Sequence, residues 1–227
     1  MEHISSQDMK ITCSIILPTY NEAGNIVPLV HAVQAVCKKA HISSEIIIVD
    51  DDSPDETASI AQKVFKKNKY ISVFVRTEEK GLAKAIAYGI QKARGDIIVV
   101  MDTDFNHEPK IIPSLVHELH SCKLVIGSRF VKGGGMENIA RYRLSKYYNK
   151  MLRTILKYPP HDSLSGFFAI RRKDIQKLPQ SKVFFGFGEY FIRLIYYMHT
   201  KRMKIQEIPV FYINRTSGES KSRFLHM

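Results

Sequence analysis

Ile97-Ile98-Val99-Val100-Met101-Asp102-Thr103-Asp104 decides how this chain folds. Five apolar residues that stop abruptly at two carboxylates are too short for a helix and read as a strand buried on both faces. Runs rich in Ile and Val recur on either side of it, at 11–17, 45–49, 71–75 and 124–126. Between them, residues 25–39, 55–67, 82–93 and 109–121 carry apolar side chains at helical spacing. Near-continuous strands alternating with amphipathic helices require a mainly parallel sheet covered on both faces, so the fold class is α/β. Two helix starts have their own signals: Ser53-Pro54-Asp55-Glu56 offers a Ser cap and a helix-opening Pro, and Pro109 opens another.

The rhythm changes after Ser128. Lys132-Gly133-Gly134-Gly135 reads as a flexible break, followed by a helical pattern over 139–158 that the Pro159-Pro160 pair stops. In that segment Leu144, Tyr147, Tyr148, Met151, Leu152, Ile155 and Leu156 make a broad apolar stripe, while Arg141, Arg143, Lys146, Lys150, Arg153 and Lys157 supply charge. Such a composition suits a helix lying in a lipid interface, although a basic helix docked on the core has the same pattern. Charge follows the same division. The chain to Ser128 holds 14 Lys+Arg against 16 Asp+Glu and the remainder 20 against 6, within a formal net charge of +12. A cationic second half points to a polyanionic partner: nucleic acid, anionic lipid or a phosphorylated substrate.

The 227 residues, with 44% hydrophobic content, suit a single domain, and no apolar run approaches the roughly 20 residues that span a bilayer. The N-terminus lacks the basic-then-apolar pattern of a signal peptide, which makes the cytoplasm the expected address. Cys13, Cys37 and Cys122 are scattered without metal-ligand spacing and read as buried reduced thiols. His117 and His120 lack the further ligands a zinc site would need, and among the histidines only His107, directly after Asn106, belongs near the carboxylates.

In an open α/β sheet ligands bind beyond the carboxyl ends of the strands, which is where Asp102 and Asp104 fall. Residues i and i+2 leave a strand on one face, so the two present hard oxygen ligands suited to Mg²⁺ or Mn²⁺ shared with a diphosphate; Asn106 is a candidate third contact. Asp50-Asp51-Asp52 ends a second strand, where three adjacent carboxylates repel one another unless a cation or polar groups compensate. The first strand ends at Pro18-Thr19-Tyr20-Asn21-Glu22, a turn with an aromatic face, an amide and a carboxylate.

Together these strand ends resemble the pattern of glycosyltransferase family 2. Ile126-Gly127-Ser128-Arg129-Phe130, Asp162-Ser163-Leu164-Ser165-Gly166-Phe167 and Arg215-Thr216-Ser217-Gly218-Glu219-Ser220-Lys221 are similar, in the same order, to its polyprenyl-phosphate branch. The likeness runs from about residue 15 to residue 221. It implies a single A-type glycosyltransferase domain over 1–227, with a nucleotide-sugar and metal half at about 10–128 and an acceptor and membrane-facing half at about 129–221. Carried over by position, Pro18, Tyr20, Glu22, Val49 and Asp51 hold the donor nucleoside, and Asp102, Thr103 and Asp104 meet the metal and diphosphate. Arg129, Arg215 and Lys221 hold donor or acceptor phosphates, and Asp104 and Arg129 are the expected catalytic pair. Glu189 matches a recurring acid of the family, with a structural bridge to Arg as its other reading.

The expected activity is inverting transfer of a sugar, mannose first, from GDP-mannose or a UDP-sugar to a polyprenyl or dolichyl phosphate. The cofactor expected is Mg²⁺ or Mn²⁺, and the address is the cytoplasmic face of a membrane, held peripherally, with a small membrane-anchoring subunit as a candidate partner. Negative charge developing on a leaving diphosphate calls for a divalent cation with Arg or Lys. The acceptor phosphate is already ionised near neutral pH and needs no strong base.

The sequence departs from the family where Thr103 and Asn106 replace the usual Ala and Gln, which lets water replace the third metal contact, and where Phe168 stands at a usual Arg. It stops at Met227 where many relatives continue into membrane helices, as expected of a peripheral type or of a truncated chain. Two alternatives stay open: a family 2 enzyme with a saccharide or protein acceptor, and a non-enzymatic basic protein binding acidic membranes or nucleic acid. No nucleic-acid module accompanies the charge, so nucleic acid is not an expected partner.

Overall fold

The computed structural model describes residues 10–213. In chain order these form β1 (Cys13–Thr19), α1 (Ile26–Lys39), β2 (Ser44–Asp50), α2 (Thr57–Phe65), β3 (Ile71–Val75), α3 (Leu82–Lys92) and β4 (Ile97–Val100). A 3₁₀ turn, Pro109–Ile111, runs into α4 (Ile112–Glu118), then β5 (Leu124–Ser128), β6 (Gly135–Met136) and α5 (Ile139–Leu156). The chain continues through β7 (Phe168–Arg171), the single turns α6 (Arg172–Ile175) and α7 (Gln180–Val183), α8 (Glu189–Thr200), β8 (Ile205–Pro209) and β9 (Phe211–Tyr212).

Seven strands make one sheet in the order β3-β2-β1-β4-β7-β5-β8, and β6 with β9 forms a two-stranded ribbon. Within the large sheet only β7 runs antiparallel to its neighbours β4 and β5. The mainly parallel sheet flanked by helices is the arrangement the strand pattern implies. Strand alternation sorts the core: Cys13, Ile15 and Leu17 of β1 pack with Leu29 and Val33 of α1, Phe65 of α2 and Leu115 of α4. Ile16 points the other way, into Ala83 and Ile86 of α3 and Leu194 and Ile195 of α8. Burial on both faces is why these strands are apolar without polar alternation.

Several local expectations are corrected. Ser53 does not cap a helix: its hydroxyl donates to Asp50 Oδ1 at 2.6 Å, its N–H to Asp50 Oδ2 at 2.8 Å, and α2 begins only at Thr57. Competition from the Asp50 carboxylate draws Ser53 away from the orphan amides of the helix. The glycine run is no flexible break, because a Cβ on Gly134 would lie 2.5 Å from the Ser128 carbonyl oxygen and Gly135 N–H donates to Val210 O at 3.0 Å. Small residues are required there by close backbone approach. The three cysteines are free and buried as expected, and burial pushes the Cys13 thiol far up.

The segment 139–158 does form a helix, and α5 is unlike the others. Asn138 caps it by accepting from Arg141 N–H at 2.9 Å, and its one buried residue is the polar Asn149. Leu144, Tyr147 and Ile155 are 72%, 71% and 66% exposed, with Ile139 and Met151 exposed beside them. Positions 144, 147, 151 and 155 share one helix face, so the apolar stripe points to solvent while Asn149 and Leu152 turn toward the body of the protein. Among the described residues no helix is long and apolar enough to cross a membrane.

Candidate active site at the carboxyl edge of the sheet

β1, β2 and β4 are adjacent and parallel, so their carboxyl ends bring Thr19 to Glu22, Asp50 to Asp52 and Asp102 to Asp104 to one edge. The three consecutive aspartates face different partners, which offset their repulsion without abolishing it: the Asp50 charge still pushes the Asp51 carboxyl up. Asp50 is fully buried and accepts from Thr19 Oγ1 at 2.8 Å and from Ser53, which ties the ends of β1 and β2 together. Asp51 accepts from Arg76 Nη1 and from Gly81 N–H, each at 2.6 Å. Asp52 meets Lys80 Nζ at 2.8 Å on the surface. Burial raises the Asp51 carboxyl above its ordinary value, with the Gly81 N–H and the Arg76 charge opposing that rise. Arg76 is itself held by the Glu78 carbonyl at 3.4 Å and by the Glu79 carbonyl.

Of the residues assigned to the nucleoside, Tyr20 is 44% exposed at the edge, whereas Glu22 is buried and accepts from Asn25 Nδ2 at 2.8 Å. Val49 is fully buried with its side chain in the α3 side of the core, so only its backbone is near the edge. Pro18 lies within β1, buried, opposite Val49. Arg76, Lys80 and Gly81 went unassigned in the sequence; the signal was a Lys-Gly pair immediately before a helix.

Asp102 and Asp104 do not leave a strand on one face, contrary to the sequence expectation. β4 ends at Val100, and the chain bends through 101–108, with Phe105 at φ 62°. Asp102 therefore keeps a side chain 43% exposed while Asp104 is buried. Asn106 donates to Asp104 through its backbone N–H (3.1 Å) and through Nδ2 (2.8 Å), so here it orients a carboxylate with its amide nitrogen. Thr103 is buried, its Oγ1 3.4 Å from the Pro18 carbonyl. Among the described residues no group of three or more His, Cys, Asp or Glu could hold a metal. Asp102 and Asp104 are still hard oxygen donors on one short loop, and Mg²⁺ or Mn²⁺ commonly takes one or two protein carboxylates and completes its shell with phosphate and water.

Arg129 lies across from this loop and is buried. Its Nε and Nη2 donate to Asp162 Oδ2 and Oδ1 at 2.8 and 2.7 Å, and its backbone N–H donates to Asp162 Oδ2 at 3.0 Å. Burial alone would lower the guanidinium; the Asp162 charge and hydrogen bonds outweigh that and hold it protonated. Arg129 thus stands as half of an internal ion pair, stacked over the Tyr212 ring at 4.8 Å. Asp162 in turn is fixed by Glu207 Oε1, which accepts from its N–H at 3.0 Å. Glu189 accepts from the Phe187 N–H at 2.9 Å, a local structural bond. Arg215 and Lys221 lie outside the described residues.

A mainly parallel sheet with polar groups gathered beyond the carboxyl ends of β1, β2 and β4 has the ligand edge of an open α/β domain. The same fold occurs in glucosyl-3-phosphoglycerate synthase from Mycobacterium tuberculosis, with TM-score 0.70 and 21% identity over 92% of this chain and 72% of that one. Mannosyl-3-phosphoglycerate synthase from Rubrobacter xylanophilus shares it at TM-score 0.66 and 20% identity, over 90% and 68% of the two chains. Residues 14–178 match glycosyl transferase family 2, and the chain belongs to that family. A curated relative from Pyrococcus furiosus, named dolichol-phosphate mannosyltransferase, is 36% identical over 213 residues, 92% of this chain. The chain spans 58% of that relative's length. A protein of the same name from Saccharomyces cerevisiae is 30% identical, over 94% of this chain and 82% of its own.

Proposed function

We propose that the chain transfers mannose from a nucleoside-diphosphate donor, GDP-mannose first and a UDP-sugar second, to a dolichyl or other polyprenyl phosphate at a membrane surface. One observation carries the lipid acceptor: α5, whose apolar stripe faces outward, is tied by Asn149 to the loop that holds Asp162, the partner of Arg129. Asn149 Oδ1 accepts from Ser163 N–H at 2.6 Å, and Tyr158 Oη donates to Ser163 Oγ at 2.6 Å. The names of the relatives support the same acceptor.

In this reading Asp102 and Asp104 hold Mg²⁺ or Mn²⁺, which when bound neutralises charge on the departing diphosphate. Asp51, positioned by Arg76 and Gly81, lies with Tyr20, Glu22, Pro18 and the Val49 backbone on the nucleoside side. Arg129, Arg215 and Lys221 serve the phosphates, and the halves at about 10–128 and 129–221 divide donor from acceptor. Purified protein given dolichyl phosphate, Mn²⁺ and a panel of GDP- and UDP-sugars is expected to form a mannolipid from GDP-mannose. Equal transfer to soluble saccharides without lipid would overturn the acceptor.

The stripe lies on the interface of the cytoplasmic leaflet, where anionic headgroups attract Arg143, Lys146, Lys150 and Arg153 by about 1 kcal/mol each. Changing Leu144, Tyr147, Met151 and Ile155 to Ser is expected to weaken liposome association about tenfold or more in sedimentation. Folding stability should change by about 0.5 kcal/mol or less per site, because these side chains are already in water. Unchanged association would hand the stripe to a small membrane-anchoring subunit instead.

A further inference from the structure

Eight residues separate β4 from the next regular turn, and in this loop, which carries both candidate metal carboxylates, the side chain of His107 reaches back to residue 102. Asp102 N–H donates to His107 Nδ1 at 2.8 Å. A backbone N–H can only donate, so Nδ1 is the accepting nitrogen and the ring proton lies on Nε2, 2.7 Å from Tyr212 Oη. Tyr212 Oη in turn meets Ser165, whose carbonyl oxygen and Oγ both lie 3.1 Å away. His107 is 1% exposed and lies flat on Phe167, with ring centroids 4.8 Å apart and an interplanar angle of 11°. Tyr212 is buried as well, on β9, and its ring is the face on which Arg129 stacks. Hydrogen bonds therefore run unbroken from the carboxylate loop through His107 and Tyr212 to the 162–166 loop, and Tyr212 touches the Arg129 side of the Arg129–Asp162 pair.

We propose that His107 and Tyr212 are positioning residues that hold the Asp102–Asp104 loop in register with the Arg129–Asp162 pair, so that the metal and acceptor sides of the site keep a fixed separation. Neither touches substrate. His107 acts through the Asp102 backbone, as partners behind the ligands of metal sites do, and Tyr212 acts through His107 and Arg129. The proposal rests on Asp102 and Asp104 as the metal–diphosphate ligands.

Three variants separate the hydrogen-bond role from packing. His107→Phe keeps a ring on Phe167 and loses both bonds. His107→Asn loses the ring and keeps an acceptor near the position of Nδ1, and Tyr212→Phe keeps both rings and loses only the hydroxyl. Calorimetric titration with GDP and with UDP, with and without Mn²⁺, reads the effect without turnover. His107→Phe is expected to weaken Mn²⁺-dependent nucleotide binding about tenfold or more, with metal-free binding held within a factor of about two, and His107→Asn to recover most of the loss. Metal-dependent affinity within a factor of about two in His107→Phe, or equal losses in Phe and Asn, would overturn the proposal. Should His107→Phe fail to fold, Tyr212→Phe decides: a loss of about threefold or more confined to the Mn²⁺ titrations supports the relay, and unaltered affinity removes it. Absence of Mn²⁺-dependent binding of either nucleotide to the unaltered protein would sink the metal-site reading itself, and the relay with it.

Discussion

Asp104→Asn is expected to lower sugar transfer about a thousandfold or more at saturating Mn²⁺ while leaving the fold intact. Removing a single preorganised group that offsets developing charge costs about 10²–10³ in turnover, and Asp104 is also a direct ligand in the proposed site. The substitution keeps the shape of the side chain, and Asn106 can still donate to the remaining carbonyl oxygen of residue 104 in place of the two contacts seen at 3.1 and 2.8 Å. Single-turnover transfer from GDP-mannose, beside a thermal melt, makes the measurement. Transfer within about tenfold of the unaltered protein would remove Asp104 from the chemistry. Asp102, with its more exposed side chain, should show the same sign and a smaller loss.

Asp162→Ala has the largest expected effect on stability. It leaves the Arg129 guanidinium buried without its counter-ion and strips four donors, three on Arg129 and the Leu164 N–H, of their acceptor. Breaking one side of a buried pair costs about 3–5 kcal/mol, because the remaining charge cannot regain its hydration. Urea unfolding should show the loss as a lower midpoint with an unchanged slope; a loss under about 1 kcal/mol would mean that water reaches Arg129. The double change Arg129→Met with Asp162→Leu should recover the share of the loss due to the unpaired charge, leaving the smaller cost of the backbone N–H groups of residues 129 and 164. If that variant folds well and transfers no sugar, the Arg129 charge serves the reaction as well as the fold; full activity would confine it to structure.

The pattern of strands and helices was legible because it is local. Ile97 to Val100 and the matching runs need only their own apolar side chains to declare a doubly buried strand, and the acids at their ends place the ligand edge by the geometry of parallel sheets. The α5 stripe was legible for the same reason, since helical spacing alone groups Leu144, Tyr147, Met151 and Ile155. β7 was not, because nothing in Phe168 to Arg171 says whether it pairs parallel or antiparallel; insertion between β4 and β5 decides that. The role of Ser53 was misread because a nearby carboxylate competes for its hydroxyl, and the parity of Asp102 and Asp104 because β4 ends at Val100, sooner than its apolar run.

The sequence by itself determined the α/β class, the acidic edge, the family and a basic helix suited to an interface. The division of labour within the site came only with tertiary structure. Asp50 serves the β1–β2 junction, Asp51 faces Arg76 25 positions away, Arg129 pairs with Asp162 33 positions away, and His107 meets Tyr212 across 105. Periodicity is written within a few residues, but which buried polar group satisfies which other depends on how separate elements pack, and no spacing along the chain records that.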